Sequence, residues 1–264
     1  VKRRLDTGIT YTEFSYMILQ STDFKYLHEN YGVNMQCAGS DQWGNITAGI
    51  DLIRKTTGDE VYGFTMPLVT DSQGRKFGKS EGNALWLNKE KTSSYQLYQF
   101  FVNVEDCKVI DYLKIYTFLS KEEIEDLEKK NNEHPELREA HKALAREIIT
   151  FLHGKEEYEK AVSLADHLFN NKFNDLSKKD IEDLFQNADI KEIEAGKNIV
   201  DTLVDLCAVS SKREAREFIG NGAISINGEK VTDLDLVVNP DLFIEGQYLV
   251  VKRGKKNYYV GKIK

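Results

Sequence analysis

The sequence predicts an α/β layer, then an α-helical bundle, then a small α+β domain. Three observations carry this expectation. Short apolar segments alternate with helical periodicity over residues 1–92, which is the pattern of an α/β layer. Residues 93–175 read as helix throughout. Beyond residue 197, two Asn-Gly pairs sit among apolar alternations, a strong hairpin signal.

In the first part, TYTEFSYMILQSTDFKYLHEN (10–30) predicts a helix with Phe14, Met17, Ile18, Phe24 and Leu27 turned inward. VNMQCAG (33–39) is short, partly apolar and ends in glycine, so it is expected as a buried strand. Residues 45–55 predict a helix, and FTMPLVT (64–70) a further extended segment. In the second part, Ser120 and Glu123 form the capping box of one helix. Pro135 and Gly154 stand where another should begin and end, with Leu137, Ala140, Leu144, Ile148 and Phe151 as its apolar stripe. Residues 176–196 are expected to hold one short helix and an acidic linker. The last unit, 197–264, is expected to run helix (199–207), Ser-capped helix (211–219), turn at Asn221-Gly222, strand, turn at Asn227-Gly228, then strands near 231–238 and 247–260.

Charge is uneven along the chain. Residues 120–196 carry 12 basic and 20 acidic residues, whereas 197–264 carry 11 and 9. A mildly basic end suits an anionic partner. There is no apolar run of membrane-spanning length. The three cysteines, Cys37, Cys107 and Cys207, are far apart and never in a C-x-x-C pair, which predicts ordinary buried thiols in a reducing cytoplasm. The five histidines include no i, i+4 pair, so no protein-bound metal is expected. His134, His141, His153 and His167 are expected to face solvent.

Four stretches carry candidate chemistry. Tyr16, Gln20 and Asp23 share one helical stripe, which is either a solvent face or the lining of a polar pocket for a ligand with an amine and a hydroxyl. CAGSDQWGNI (37–46) follows a strand end, where ligands of open α/β sheets bind; the alternative is a strand-to-helix turn with Asp41 or Asn45 as N-cap. QGRKFGKSEG (73–82) resembles the end of a P-loop, but the position that needs the first glycine holds Gln73, and Glu81-Gly82-Asn83 is a poor helix start. Two lysines among glycines fit a mobile loop over a polyphosphate, or a solvated hairpin tip. Lys212, Arg213 and Arg216 cluster on a helix, and KRGKKNYYVGKIK (252–264) has six basic residues, no acids and two tyrosines. Such clusters suit nucleic acid, or a solvated helix and frayed tail.

Together and in this order, the Y-x-x-x-Q-x-x-D stripe (16–23), GSDQWGNI (39–46), KFGKS (76–80) and SSKREAR…NGAISINGEKV (210–231) resemble the bacterial tyrosyl-tRNA synthetases, class I aminoacyl-tRNA synthetases. The resemblance implies that 1–92 is the later half of a Rossmann-like nucleotide-binding domain, partial here. It further implies that 93–175 is a helical anticodon-binding-type domain and 197–264 a tRNA-binding domain of ribosomal-protein type. It implies tyrosine binding by Tyr16, Gln20, Asp23, Gln36 and Gln42, with Asp23 accepting from the substrate hydroxyl. Gly39, Asp41, Gln42 and Lys79 would hold ATP and the adenylate. Lys76, Lys79 and Ser80 would be catalytic, meeting the pyrophosphate. Lys212, Arg213, Arg216, Lys252, Arg253, Lys255 and Lys256 would meet tRNA. ATP with Mg2+ is a substrate, no organic cofactor is implied, and the family is homodimeric and cytoplasmic. Ala38 stands where family members often have glycine.

The family also carries an H-I-G-H-type motif. No H-x-G-H occurs in these 264 residues, which begin at Val1 without an initiator Met. The expectation is an upstream half-domain, without which this polypeptide forms tyrosyl-adenylate poorly. The competing expectation is a non-catalytic RNA-binding protein built on the last domain.

Overall fold

The computed structural model describes residue 8 and residues 10–74 and 85–264. The chain divides into two compact units, 1–83 and 84–264.

The first unit begins with helix α1 (Tyr11–Tyr31). It stops at Gly32, whose φ of +68° only glycine adopts freely, and the Gly32 and Val33 N–H groups return to His28 and Leu27. Strand β1 (Met35–Gly39), a 3₁₀ turn (Ser40–Gln42), helix α2 (Trp43–Thr57) and strand β2 (Tyr62–Met66) follow. The strands pair in parallel, Met35 opposite Tyr62 through Gly39 opposite Met66. Gly63 lets α2 lie against the sheet, since a Cβ there would come within 2.4 Å of Ile46 Cγ2. Gly49 does the same between helices, with Phe24 Cδ1 3.0 Å from the Cβ it lacks. The core gathers Phe24, Ile53 and Val61, with Val33 and Ile50 packed on it.

Of the inward residues expected on α1, Phe24 is buried and Met17 half-buried, but Phe14, Ile18 and Leu27 are exposed. The reason is that α1 is covered along one seam, by α2. Strand β1 is likewise not a buried strand; its residues are exposed or half-buried, because helices cover one face of a two-stranded sheet. The second extended segment ends at Met66, earlier than expected, before Pro67 removes a backbone donor.

The second unit starts with five helices: α3 (Ser94–Val102), α4 (Asp106–Tyr116), α5 (Lys121–Glu133), α6 (Glu139–His153) and α7 (Lys155–Asn170). Ser93 caps α3, and the Ser120/Glu123 capping box opens α5 as expected. Pro135 opens only a 3₁₀ turn, and left-handed Arg138 separates that turn from α6. Leu137 and Phe151 consequently fall off the buried stripe and are exposed, while Ala140, Leu144 and Ile148 are buried. His141, expected in solvent, is fully buried. Its Nε2 lies 3.0 Å from the Val104 carbonyl, and burial, aided by the Arg138 charge, pulls its pKa down.

Helix α8 (Lys178–Leu184), capped by Ser177, leads to strand β3 (Lys191–Ile193). The segment expected as linker therefore contributes a strand. The remaining elements are α9 (Ile199–Asp205), α10 (Lys212–Gly220), β4 (Ile224–Ile226), β5 (Glu229–Lys230), β6 (Tyr248–Arg253) and β7 (Asn257–Ile263). The sheet runs β3-β7-β6-β4-β5, with β3 parallel to β7 and the other pairs antiparallel. The strand expected over 231–238 is absent beyond a single bridge, Asn198 to Val237, and the last strand is two, split by a turn with Gly254 at φ +66°. Ile199, Leu203, Ala215, Ile219, Leu249 and Val251 form the centre of this core.

All three cysteines are exposed, not buried. Cys37 lies on the strand with the uncovered face, Cys107 in the first turn of α4, and Cys207 at a left-handed position (φ +55°) past α9.

Candidate functional site

Helices α1 and α2 run side by side in the same direction: Met17 stands by Gly44, and Ser21 and Phe24 by Gly49. Tyr16, Gln20 and Asp23 each precede one of these seam residues, so they line the edge of the α1–α2 contact, about 100° around the helix from it. Tyr16 and Asp23 are exposed and Gln20 is half-buried. Ser21 Oγ turns back to the Met17 carbonyl, which keeps the seam itself apolar.

Strand β1 runs against this direction and ends at Gly39, where the chain turns into α2. The amino-terminal half of α1, with Tyr16 and Gln20, thus shares an end of the unit with Gly39, Asp41 and Gln42. That end is the carboxyl edge of a parallel strand pair, where open α/β sheets bind ligands. Gly39 is crowded by two side-chain ends, since a Cβ would stand 2.8 Å from Leu68 Cδ2 and 3.0 Å from Asp41 Oδ1, and both would have to shift for a side chain. Gln36 pairs with Gly63, whose missing Cβ faces α2, so Gln36 shares the helix-covered face. Its Oε1 is buried and, among the described residues, has no hydrogen-bond partner. A buried acceptor left open in this way is costly unless a ligand fills it.

Gln42 is held by Asn45, whose Nδ2 donates to Gln42 Oε1 at 2.8 Å. The N-cap reading of Asp41 or Asn45 is overturned: Gln42 occupies the cap of α2, and no side chain caps that helix. Asn45 instead orients Gln42, and its spacing of three residues from Gln42 is the one sequence signal of that contact. Asp41 is exposed on the 3₁₀ turn. A turn fixed by Asp71, which accepts from the Gln73 and Gly74 N–H groups, leads towards KFGKS. Lys76, Lys79 and Ser80 lie outside the described residues.

A second candidate surface lies on the C-terminal sheet. Lys212, Arg213 and Arg216 are exposed on α10, whose Ala215 and Ile219 are buried beneath them. Ser211 caps the helix, and Ser210 holds the Glu214 carboxylate, which keeps that group below its usual pKa. Lys212 is paired with Asp201 at 2.6 Å; among the described residues Arg213 and Arg216 have no ion-pair partner. Lys255 and Lys256 are exposed on the β6–β7 turn. Lys252 and Arg253 behave differently. Lys252 Nζ donates to Asn171 Oδ1 and lies over the Tyr258 ring; Arg253 donates to the Ala208 carbonyl and lies over Phe218 and Tyr259. The alternative of a frayed tail is overturned, since the segment is a hairpin, and these two charges are tied to Asn171, Ala208 and Phe218 outside it as well as to its own tyrosines.

Among the described residues, no three or more His, Cys, Asp or Glu side chains gather as a metal site, and no helix is long and apolar enough to cross a membrane.

Comparison with known proteins identifies the family. A family profile described as tRNA synthetases class I (W and Y) matches residues 1–170, and one described as the tyrosine–tRNA ligase SYY-like C-terminal domain matches residues 180–260. The tyrosine–tRNA ligase of Ligilactobacillus salivarius is 48% identical over 267 residues, covering 100% of this chain and 64% of the relative. That of Bacillus pumilus is 50% identical, covering 98% and 63%. The chain thus spans under two thirds of the length of these relatives. Among solved structures, a C-terminally truncated mitochondrial tyrosyl-tRNA synthetase of Aspergillus nidulans is 36% identical, with a TM-score of 0.52 over 64% of this chain and 49% of that one. With a parallel βαβ unit, a helical bundle and a C-terminal sheet in this order, and with the class I profile matching residues 1–170, well over half of its length, the chain belongs to the class I tRNA synthetases (W and Y).

Proposed function

We propose that this chain carries the tyrosine-binding edge, the pyrophosphate loop and the tRNA-binding parts of a tyrosine–tRNA ligase. The observation that carries this reading is the shared end of α1 and β1. Tyr16 and Gln20 from the helix edge, and Gly39, Asp41 and Gln42 from the strand end, converge where a parallel sheet presents its ligand.

In this reading Asp23 accepts from the tyrosine hydroxyl, and Tyr16 and Gln20 take the α-amino group. Gln36 and Gln42 place the amino acid, and the open Gln36 acceptor is filled by substrate. Gly39 and Asp41 hold the ribose of the adenylate. The tyrosine carboxylate attacks the α-phosphate of ATP, which is taken as its Mg2+ complex, and pyrophosphate leaves towards Lys76, Lys79 and Ser80. A terminal ribose hydroxyl of the tRNA then takes the tyrosyl group. Neither step needs a protein nucleophile, since positioning and charge stabilisation lower the barrier. Arg213, Arg216, Lys255 and Lys256 meet the tRNA backbone, with a lesser part for Lys212. The protein works in the cytoplasm as a homodimer.

The experiment is tyrosine-dependent ATP–pyrophosphate exchange by the full-length protein, followed by charging of tRNA. Exchange with tyrosine, and charging of a tyrosine-accepting tRNA, is the expected result. Exchange driven equally by unrelated amino acids, or by none, would sink the reading.

A further inference from the structure

The basic face of α10 rides on the C-terminal sheet, and the helical bundle forms the other part of the second unit. The two meet through the rings of Phe173, Phe185 and Tyr258, through the Glu182–Tyr248 hydrogen bond and, at the end of α7, through Asn171. This residue ends α7 in the left-handed conformation, at φ +54°. Its side-chain Oδ1 accepts from Lys252 Nζ on β6 and from the Tyr258 hydroxyl on β7, the latter at 3.2 Å. Its backbone carbonyl presses on Gly228, where a Cβ would stand 1.6 Å from that oxygen.

Gly228 is not a free loop tip. It follows Asn227, and both residues have positive φ, +95° and +50°, as the tight hairpin turn requires. Asn227 is buried; it donates to the Leu242 carbonyl at 2.6 Å and accepts from the Val250 N–H at 2.9 Å. The turn is therefore anchored in the sheet. One residue at the end of the bundle touches the β4–β5 turn, β6 and β7 together. The ring and Glu182 contacts reach only β6 and β7; Asn171 adds the β4–β5 turn, and contacts spread over all three places fix an angle more tightly than those on two strands.

We infer that Asn171 and Gly228 are positioning residues for tRNA. Neither touches the ligand; together they hold the basic face of α10 at a set angle to the bundle, so that one rigid nucleic acid meets both. The inference rests on the tRNA reading given above.

The test uses the full-length protein, with the exposed cysteines Cys37, Cys107 and Cys207 replaced by serine and spin labels at positions 125 on α5 and 217 on α10. The variants are Gly228→Ala, Asn171→Gly, which keeps the left-handed turn and removes the amide, and Asn171→Asp, which keeps an acceptor. Gly228→Ala and Asn171→Gly should broaden the label-to-label distance distribution. They should raise the KM for tRNA about tenfold, the factor that ~1.4 kcal/mol of lost alignment produces. Tyrosine-dependent pyrophosphate exchange should stay as it was, and Asn171→Asp should keep both the narrow distribution and the KM. The inference is overturned if the distribution stays narrow in both variants, if it broadens with the tRNA KM unchanged, or if exchange falls as far as charging. A wild-type protein that charges no tRNA sinks the functional reading and the tRNA half of the inference with it; the distance measurement still decides separately whether Asn171 and Gly228 hold the angle.

Discussion

The phenol of Tyr248 donates a 2.7 Å hydrogen bond to Oε1 of Glu182, linking β6 to α8. The Tyr248 ring is only 2% exposed. Tyr248→Phe keeps the packing and loses the bond, so stability should fall by about 1 kcal/mol. Urea unfolding should show a lower midpoint at an unchanged slope. A midpoint equal to wild type would mean that the bond contributes nothing.

Burial first, then the Glu182 carboxylate, pushes the Tyr248 phenol from 10.0 up to about 12. Burial does the same to Tyr95, also to about 12. The neutral phenol is the form the fold favours. Its contribution is whole below the unfolded value of 10.0 and is lost as pH rises towards about 12. Stability should therefore decline across that alkaline window, and less steeply in Tyr248→Phe. Tyrosinate absorbance should lose one late-titrating group in that variant; an unaltered titration curve would refute the assignment.

Asp23 is the residue assigned to the substrate hydroxyl. Asp23→Ala in the full-length enzyme should narrow the preference for tyrosine over phenylalanine. The loss should be that of a hydrogen bond to a charged group, roughly 1.5–3 kcal/mol. The ratio of kcat/KM for the two amino acids in pyrophosphate exchange measures it. A preserved ratio removes Asp23 from the role.

On α10, the arginines and the lysine should behave differently. Arg213→Met and Arg216→Met should each weaken tRNA binding and flatten its dependence on log salt by about one unit. Lys212→Met should change the slope less, because its ammonium is already paired with Asp201. Binding isotherms at several salt concentrations decide this; equal effects at all three positions would mean that the Asp201 pair does not hold in solution.

Gly63→Ala should be disruptive despite its size. The new methyl would meet Ile46, which is fully buried and has no room to retreat. Overpacking of this kind costs about 1–3 kcal/mol. It would also disturb the strand opposite Gln36, so tyrosine affinity should fall alongside thermal stability. A variant as stable as wild type would contradict the packing described.

The order of elements was legible because local signals agreed. Serine caps at 93, 120, 177 and 211 and the glycines at 32, 58 and 154 mark helix ends without reference to anything distant. Burial was less legible, since it depends on what lies opposite. Phe14 and Ile18 look like core on a helical wheel, but α2 covers only the neighbouring seam. His141 looks like a solvated residue in a charged helix, yet the Val104 carbonyl waits for it from 37 residues away. The candidate site was readable as motifs. What composition could not convey was that Lys252 and Arg253 are tied down, because their partners, Asn171 and Ala208, are fixed by tertiary folding.

Among the described residues strand β3 pairs with β7 alone, which places residues 191–193 beside residues 261–263. A ribosome delivers β3 well before β4, β5 and β6, and it delivers the matching strand after them. The growing chain therefore carries an open strand edge through most of the synthesis of this domain. Assembly of the sheet cannot proceed strictly in the order of translation; its first-made strand is among the last to be satisfied.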